Sequence, residues 1–564
     1  MSAPTTSEDA AASASRSASA LIAVGILLSR LAGLVREAVF AAFLGVGPAA
    51  DAFAVATRIP NTLQMLLGEG TLSASFIPVY SSELDRDEQE AGRIAGAVAT
   101  LLALTAAILV LIAVVGAEGI AWVIAAGFRN DARFDLTVTL LRITFPAAGI
   151  TVLGAWCLGI LNSHRQFFLS YVAPVLWNLA QITAVVVGVL AFGIGEFDGP
   201  RQSIQGVEAN VELLGDLARV AAWGFFVGAI LQFLVQVPSV RSLARHTKFR
   251  FDVRREGVRE VIRRFGGAVL GRGVVQISAL VDIALAGLLV AGAASALGRS
   301  QILYILPISI FAISVAASEL PELSRMTSDD EIRTRAHSGF ARILFFVCFA
   351  ATAYVLLGDK IVATLYERGS FTSDETLLVW FVLGVYALGL PAAAASRLTQ
   401  NTLWSRGDTK GPARAAIFRL VIGASIAVAT MWFFDRVDTT DIRNALPTLF
   451  DGERNETLRF GAVGITLGSA VASWVEAIVL GRLASKHVSG LSPFGALRRL
   501  APAMVAAAVV AIIMRVVTDD VWPPLAMVFS VGLAGLTYVG VAYLLRVKEV
   551  NLLLVGPLRR LRIR

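Results

Sequence analysis

Residues 29–80 read SRLAGLVREAVFAAFLGVGPAADAFAVATRIPNTLQMLLGEGTLSASFIPVY. The stretch is apolar enough to be two membrane helices, yet it carries Arg30, Arg36, Glu37, Asp51, Arg58 and Glu69. Each ionised group near a bilayer centre costs about 2.5–3.5 kcal/mol on insertion scales. Two arrangements meet that cost. The charges snorkel and pair among themselves, Arg36 with Glu37 or Asp51, or they line a wet cavity that has a use for charge.

The rest of the chain sets the context. It is 56% hydrophobic and 16% charged over 564 residues, and the apolar residues come in long blocks such as 93–115 and 499–514. Runs of about 18 or more apolar residues are membrane spans, and continuous rather than alternating runs exclude a β-barrel. The reading is an all-α polytopic membrane protein with about fourteen spans. A polar tail covers residues 1–17, an N-lobe of six helices 18–240, and a basic linker 241–261. A C-lobe of six helices covers 262–484, two C-terminal helices 485–546 and a basic tail 547–564. The tail lacks the basic n-region and cleavage site of a signal peptide, so the first apolar block is expected to stay as a helix.

The 49 basic and 42 acidic residues give a formal +7. The basic residues cluster in alternate loops, above all Arg241 to Arg264, and positive-inside then places both termini in the cytoplasm. Basic runs interleaved with stacking aromatics, as single-strand binding needs, are not what these loops offer, so nucleic acid is excluded as a partner. The two cysteines, Cys157 and Cys348, lie in apolar blocks and read as small hydrophobes. The four histidines are far apart and lack metal-ligand spacing. A membrane enzyme acting on phosphosugars would want clustered aspartates on a cytoplasmic face. The nearest clusters, Asp329-Asp330-Glu331 and Asp519-Asp520, fall in an ordinary polar loop and on the outer side, so transport without catalysis is expected.

Weak internal symmetry points the same way. The second span holds Pro60 and then Pro78-Val79-Tyr80-Ser81; the eighth holds Pro307 and then Pro321-Glu322-Leu323-Ser324. Leu161-Asn162-Ser163-His164 in the fourth resembles Leu403-Trp404-Ser405-Arg406 in the tenth. A six-helix unit repeated with interrupted helices is a pattern of alternating-access transport. Arg30 and Arg36 are about 240° apart on an ideal helix, so one cavity needs Gly33 to allow a bend or unwinding. Arginine forks suit phosphate, and a cationic cavity in an apolar bundle suits an anionic headgroup carried by a lipid.

At these residues the chain resembles the MurJ/MviN family of lipid II flippases, within the multidrug/oligosaccharidyl-lipid/polysaccharide exporter superfamily. SRLAGLVRE, GVGPAADAF and RIPNTLQMLLGEGTLSASFIPVY carry the resemblance. LLRITFP (140–146), GILNSHRQF (159–167), LYERGSF (365–371) and LWSRGDTKGP (403–412) extend it. The resemblance implies two six-helix lobes around a cationic cavity and two C-terminal helices forming a groove for a lipid tail. It also implies movement of undecaprenyl-pyrophosphate-linked disaccharide-pentapeptide across the inner membrane. Arg30 and Arg36 match the family's paired arginines, Asp51 the acid opening the second helix, and Glu69 its Glu-Gly. Gln64 and Ile302 stand where the family carries arginine, and Arg58, Arg272 or Arg299 are candidates to substitute; Arg397 is a further cargo candidate. Asp282 resembles a sodium-ligand position in some members, with a structural ion pair to Arg272 or a neighbouring arginine as the favoured role. No bound cofactor is expected, and sodium or the membrane potential are the candidates for coupling. The alternatives are export of another lipid-linked oligosaccharide, or of a drug or cation.

Overall fold

The computed structural model describes residues 7–192, 207–326, 328–445, 458–492, 494–519 and 521–550. The chain divides into two compact units, Met1–Leu280 and Val281–Arg564. The first holds α1 (Ser7–Leu44), α2 (Pro48–Leu67), α3 (Glu69–Leu84), α4 (Glu88–Val115), α5 (Ala117–Ile124), α6 (Arg133–Ser163), α7 (Phe167–Ala191), α8 (Val207–Leu234), α9 (Val237–Leu243) and most of α10 (Glu256–Gly287). The second holds the end of α10, then α11 (Ala293–Pro307), a π-helical turn (Ile308–Ile313) and α12 (Ser314–Arg325). It continues through α13 (Asp329–Tyr366), α14 (Ser373–Leu388), α15 (Leu390–Ser405), α16 (Lys410–Phe434), α17 (Thr439–Ala445), α18 (Gly461–His487), α19 (Phe494–Val517) and α20 (Pro523–Leu544).

Every stretch expected to span is predominantly helical among the described residues. Among the described residues, ten helices are long and apolar enough to cross a membrane, or eleven if α14 and α15, bent by 43°, make one span. The other expected spans are the charged or broken ones: α1, α2 with α3, and α10, whose apolar part is Gln276–Gly287. Three boundaries differ from expectation. α1 begins at Ser7, inside the expected polar tail, because that tail is alanine-rich and acidic at its start, which favours helix. The linker shortens to 244–255, since α10 starts at Glu256. The two units part at Leu280/Val281 rather than in the linker.

Prolines break the backbone ladder, and side chains from other helices take up the freed carbonyls. Pro60 leaves Ala56 O without its usual donor. The Thr144 hydroxyl, which also back-bonds to Leu140 O, reaches Ala56 O at 3.2 Å. Pro307 does the same to Leu303 O, and the buried Tyr354 hydroxyl donates to it at 2.9 Å. In lipid such compensation is required, because no water is at hand.

The repeat is visible in packing. α8 lies on α7 and α18 on α16, each through a pair of glycines one turn apart. A Cβ on Gly224 or Gly228 would sit 2.5 Å from Ala184 or 2.4 Å from Trp177. One on Gly464 or Gly468 would sit 2.5 Å from the backbone of Met431 or Gly423. Small residues let backbones approach where lipid removes the hydrophobic drive for association. The twin tetrapeptides also end their helices alike. Gln166 N–H donates to Leu161 O and Arg165 N–H to Asn162 O; Asp408 N–H donates to Leu403 O and Gly407 N–H to Trp404 O. Both are the paired bonds of a Schellman end, with Arg165 at φ 59° where the second copy has Gly407 at 79°. His164 caps the first copy and bonds Tyr80 at 3.1 Å, and its burial lowers its pKa from the ordinary 6.5.

α19 and α20 pack on each other and on α13. Tyr538 donates to Phe345 O at 2.8 Å, while Val509, Ile513, Val528 and Leu536 face outward. Residues 551–564, most of the expected basic tail, lie outside the described residues.

Candidate functional site

α1 runs unbroken through Gly33, so Arg30 and Arg36 keep the separate faces of an ideal helix. The unwinding expected there does not interrupt α1. Arg30 is exposed. Arg36 is half-buried where α1 lies along α7, its guanidinium 5.9 Å from the Trp177 ring and 6.0 Å from Phe40. Its Nη2 meets Glu37 Oε1 at 2.5 Å, the first of the two pairings the sequence suggested. Its Nε–H is buried with no hydrogen-bond acceptor among the described residues.

Asp51 is 1% exposed at the start of α2, and its ion pair is with Arg133 at 3.7 Å. Arg133 opens α6, which packs along α2, and is itself held by Asp131 at 2.7 Å and by the Phe128 ring. Asp51 is thus an anchor between helix ends. Arg58 is half-buried midway along α2. α2 stops at Leu67, Gly68 N–H donates to Gln64 O at 2.7 Å, and Glu69 opens α3. The side chains of Glu69 and Arg272 lie outside the described ones. Gln64 accepts at the end of α2 and so flanks the break in this span.

The second unit gathers charge differently. Glu476 on α18 is 3% exposed. Arg419 of α16 reaches it at 3.3 Å and Gln400 of α15 at 3.2 Å. Arg397, on α15, lies within electrostatic reach of Arg419, Glu476 and Tyr304. Tyr304 stacks on Tyr386 with centroids 4.0 Å apart. Asp282, half-buried near the end of α10, accepts from Ser469 at 3.4 Å and is within electrostatic reach of Arg419. A carboxylate with a hydroxyl donor and a guanidinium within electrostatic reach suits a structural charge pairing. Among the described residues, no cluster of three or more His, Cys, Asp and Glu could hold a metal. Arg299 is 5% exposed under Phe371 at 5.5 Å, a packed position in α11.

Arg419 is the residue that sequence reasoning missed. Its signal in the sequence is a lone cation inside the apolar run IFRLVIGASIAV.

The model of the lipid II flippase MurJ family matches residues 40–534. The chain belongs to that family. A probable lipid II flippase MurJ of Rhizobium tropici is 31% identical over 463 residues, 80% of this chain and 77% of the relative. The lipid II flippase MurJ of Burkholderia cenocepacia is 28% identical, over 70% of this chain and 74% of its own. A solved lipid II flippase MurJ in an inward closed conformation has the same fold, with TM-score 0.72 at 22% identity. It covers 93% of this chain and 98% of its own. An inward-facing multidrug resistance MATE transporter shares the fold more loosely, at TM-score 0.60 and 16% identity over 82% of this chain and 95% of its own.

Proposed function

We propose that this chain carries lipid II from the inner to the outer leaflet of the cytoplasmic membrane by alternating access, with both termini in the cytoplasm. The cargo's polyprenyl tail can stay in lipid, but its diphosphate must leave water, and that requires cations with fixed donors. Arg36 carries the reading: it is half-buried, has one nitrogen on Glu37, and has a buried Nε–H without an acceptor among the described residues. Glu37 compensates the charge between cargo loads. A diphosphate oxygen then competes for the same guanidinium and gains a donor that the empty state leaves unused. Exposed Arg30, six residues earlier and on another face of α1, adds positive charge to the approach rather than a second donor to the same diphosphate, and Arg58 is the candidate to stand in for the arginine replaced by Gln64.

Arg419 and Arg397 take no part in cargo binding in this reading, because Glu476 pairs with the first and lies within electrostatic reach of the second. Depleting the chain in its own cells tests the cargo. Lipid II should accumulate while the outer leaflet is starved of it. Accumulation of a different lipid-linked sugar, with lipid II at its usual level outside, would overturn the assignment.

A further inference from the structure

The segment between α9 and α10, residues 244–255, reads ARHTKFRFDVRR. It crosses the first turns of α4, where Gly92 and Gly96 share one face. A Cβ on Gly92 would sit 2.6 Å from the His246 carbonyl, and one on Gly96 2.1 Å from the Lys248 oxygen. The two glycines make a notch, and the segment's backbone lies in it. Arg255 fastens the far end, its Nη1 at 2.6 and 2.8 Å from the Glu90 oxygens and its Nε at 2.9 Å from Asp252. Trp156, whose indole N–H donates to Ala95 O, lies beneath Phe249 at 6.2 Å.

With the backbone held down, the side chains turn outward. Phe249 is 71%, Phe251 60% and Val253 38% exposed. They alternate with Lys248, Arg250, Asp252 and Arg254, of which the three cations are exposed and Asp252 is half-buried against Arg255. In an extended chain, alternation puts apolar groups along one edge and cations along the other. This strap lies at the end of the first unit where α9 stops and α4 and α10 start, which in a spanning bundle is the edge of the bilayer. Aromatic rings settle there at headgroup level, and lysines and arginines meet anionic lipid.

We propose that residues 248–254 form a docking strip for the anionic phospholipid surface of the cytoplasmic leaflet. Phe249, Phe251 and Val253 enter the interface, and Lys248, Arg250 and Arg254 bind lipid phosphates. Placing the strip on that leaflet rests on the positive-inside orientation and is independent of which cargo is moved.

The test is a spin label on Phe251→Cys in the purified full chain, since both native cysteines are buried. The protein is reconstituted in phosphatidylcholine vesicles with and without phosphatidylglycerol. With the anionic lipid, oxygen should collide with the label more than a water-soluble nickel chelate does. Lys248→Glu, Arg250→Glu and Arg254→Glu together should return it to water, with a loss of roughly fivefold in preference per cation. A label open to the chelate in both vesicles would overturn the proposal. So would shielding that is equal in neutral vesicles and in detergent, which means that protein covers the strip. If labelling disturbs the fold, hydrogen exchange of residues 245–255 in the unlabelled chain decides: protection must rise with phosphatidylglycerol.

Discussion

In the first unit Arg30 is exposed and Arg36 leans on its chain neighbour Glu37. In the second, Arg419 and Arg397 lie around Glu476, which is buried, with Gln400 on its other oxygen and Asp282 beyond. The first arrangement leaves cationic donors to spare. The second closes on itself and ties α10, α15, α16 and α18 together. Intramembrane charge is a functional hypothesis by default, but the pairing pattern tells which charges are free for cargo and which hold the bundle.

The largest expected effect tests the closed cluster. Glu476→Ala leaves Arg419 facing a void, and breaking a buried pair costs about 3–5 kcal/mol. Thermal unfolding in detergent should show most of the folded protein lost, whereas Arg36→Ala should shift stability by less than about 1 kcal/mol. Equal melting of the two variants would erase the distinction between the units.

Asp282→Ala should be next, at about 1.5–3 kcal/mol for a lost charged hydrogen bond. Replacing potassium by sodium should leave the wild-type melting temperature unchanged. A sodium-specific rise that disappears in Asp282→Ala would instead make Asp282 a ligand, because a ion bound only by the native state raises apparent stability.

The proline braces offer a smaller and symmetrical comparison. Thr144→Val and Tyr354→Phe each strip the donor from a carbonyl that a proline has freed, for about 1 kcal/mol apiece. Because Thr144 shares its proton with Leu140 O, its loss should be the milder in a chemical-denaturation series.

Much of this architecture was legible beforehand. Hydropathy located most of the spans, and the tandem LNSH and LWSR marked equivalent helix ends. The start of α1 was not, since hydropathy does not see an alanine-rich polar helix. Nor was the Asp51–Arg133 pair, because Arg133 reads as a loop charge until α6 is packed against α2. The strap escaped for a similar reason: Gly92 and Gly96 look like ordinary small residues until another backbone lies on them.

The helix ends yield the smallest effect. Arg165 takes a left-handed backbone that costs an L-residue about 1–2 kcal/mol, and glycine's own entropy returns part of that. Arg165→Gly should therefore stabilise by about 0.5 kcal/mol, while Gly407→Ala should destabilise by about 1 kcal/mol. A melting shift of the opposite sign in either would undo the equivalence of the two ends.

The central claim is that Arg36 meets the diphosphate of the cargo while Arg419 and Arg397 do not. The direct measurement is rescue of growth in cells depleted of the chain, with every variant matched for membrane level. Arg36→Ala should be folded, inserted and unable to support growth. Arg36→Lys should rescue in part, because the charge survives and the fork does not. The Arg30→Ala, Arg36→Ala double variant should fail completely. Full growth on that double variant would contradict the account.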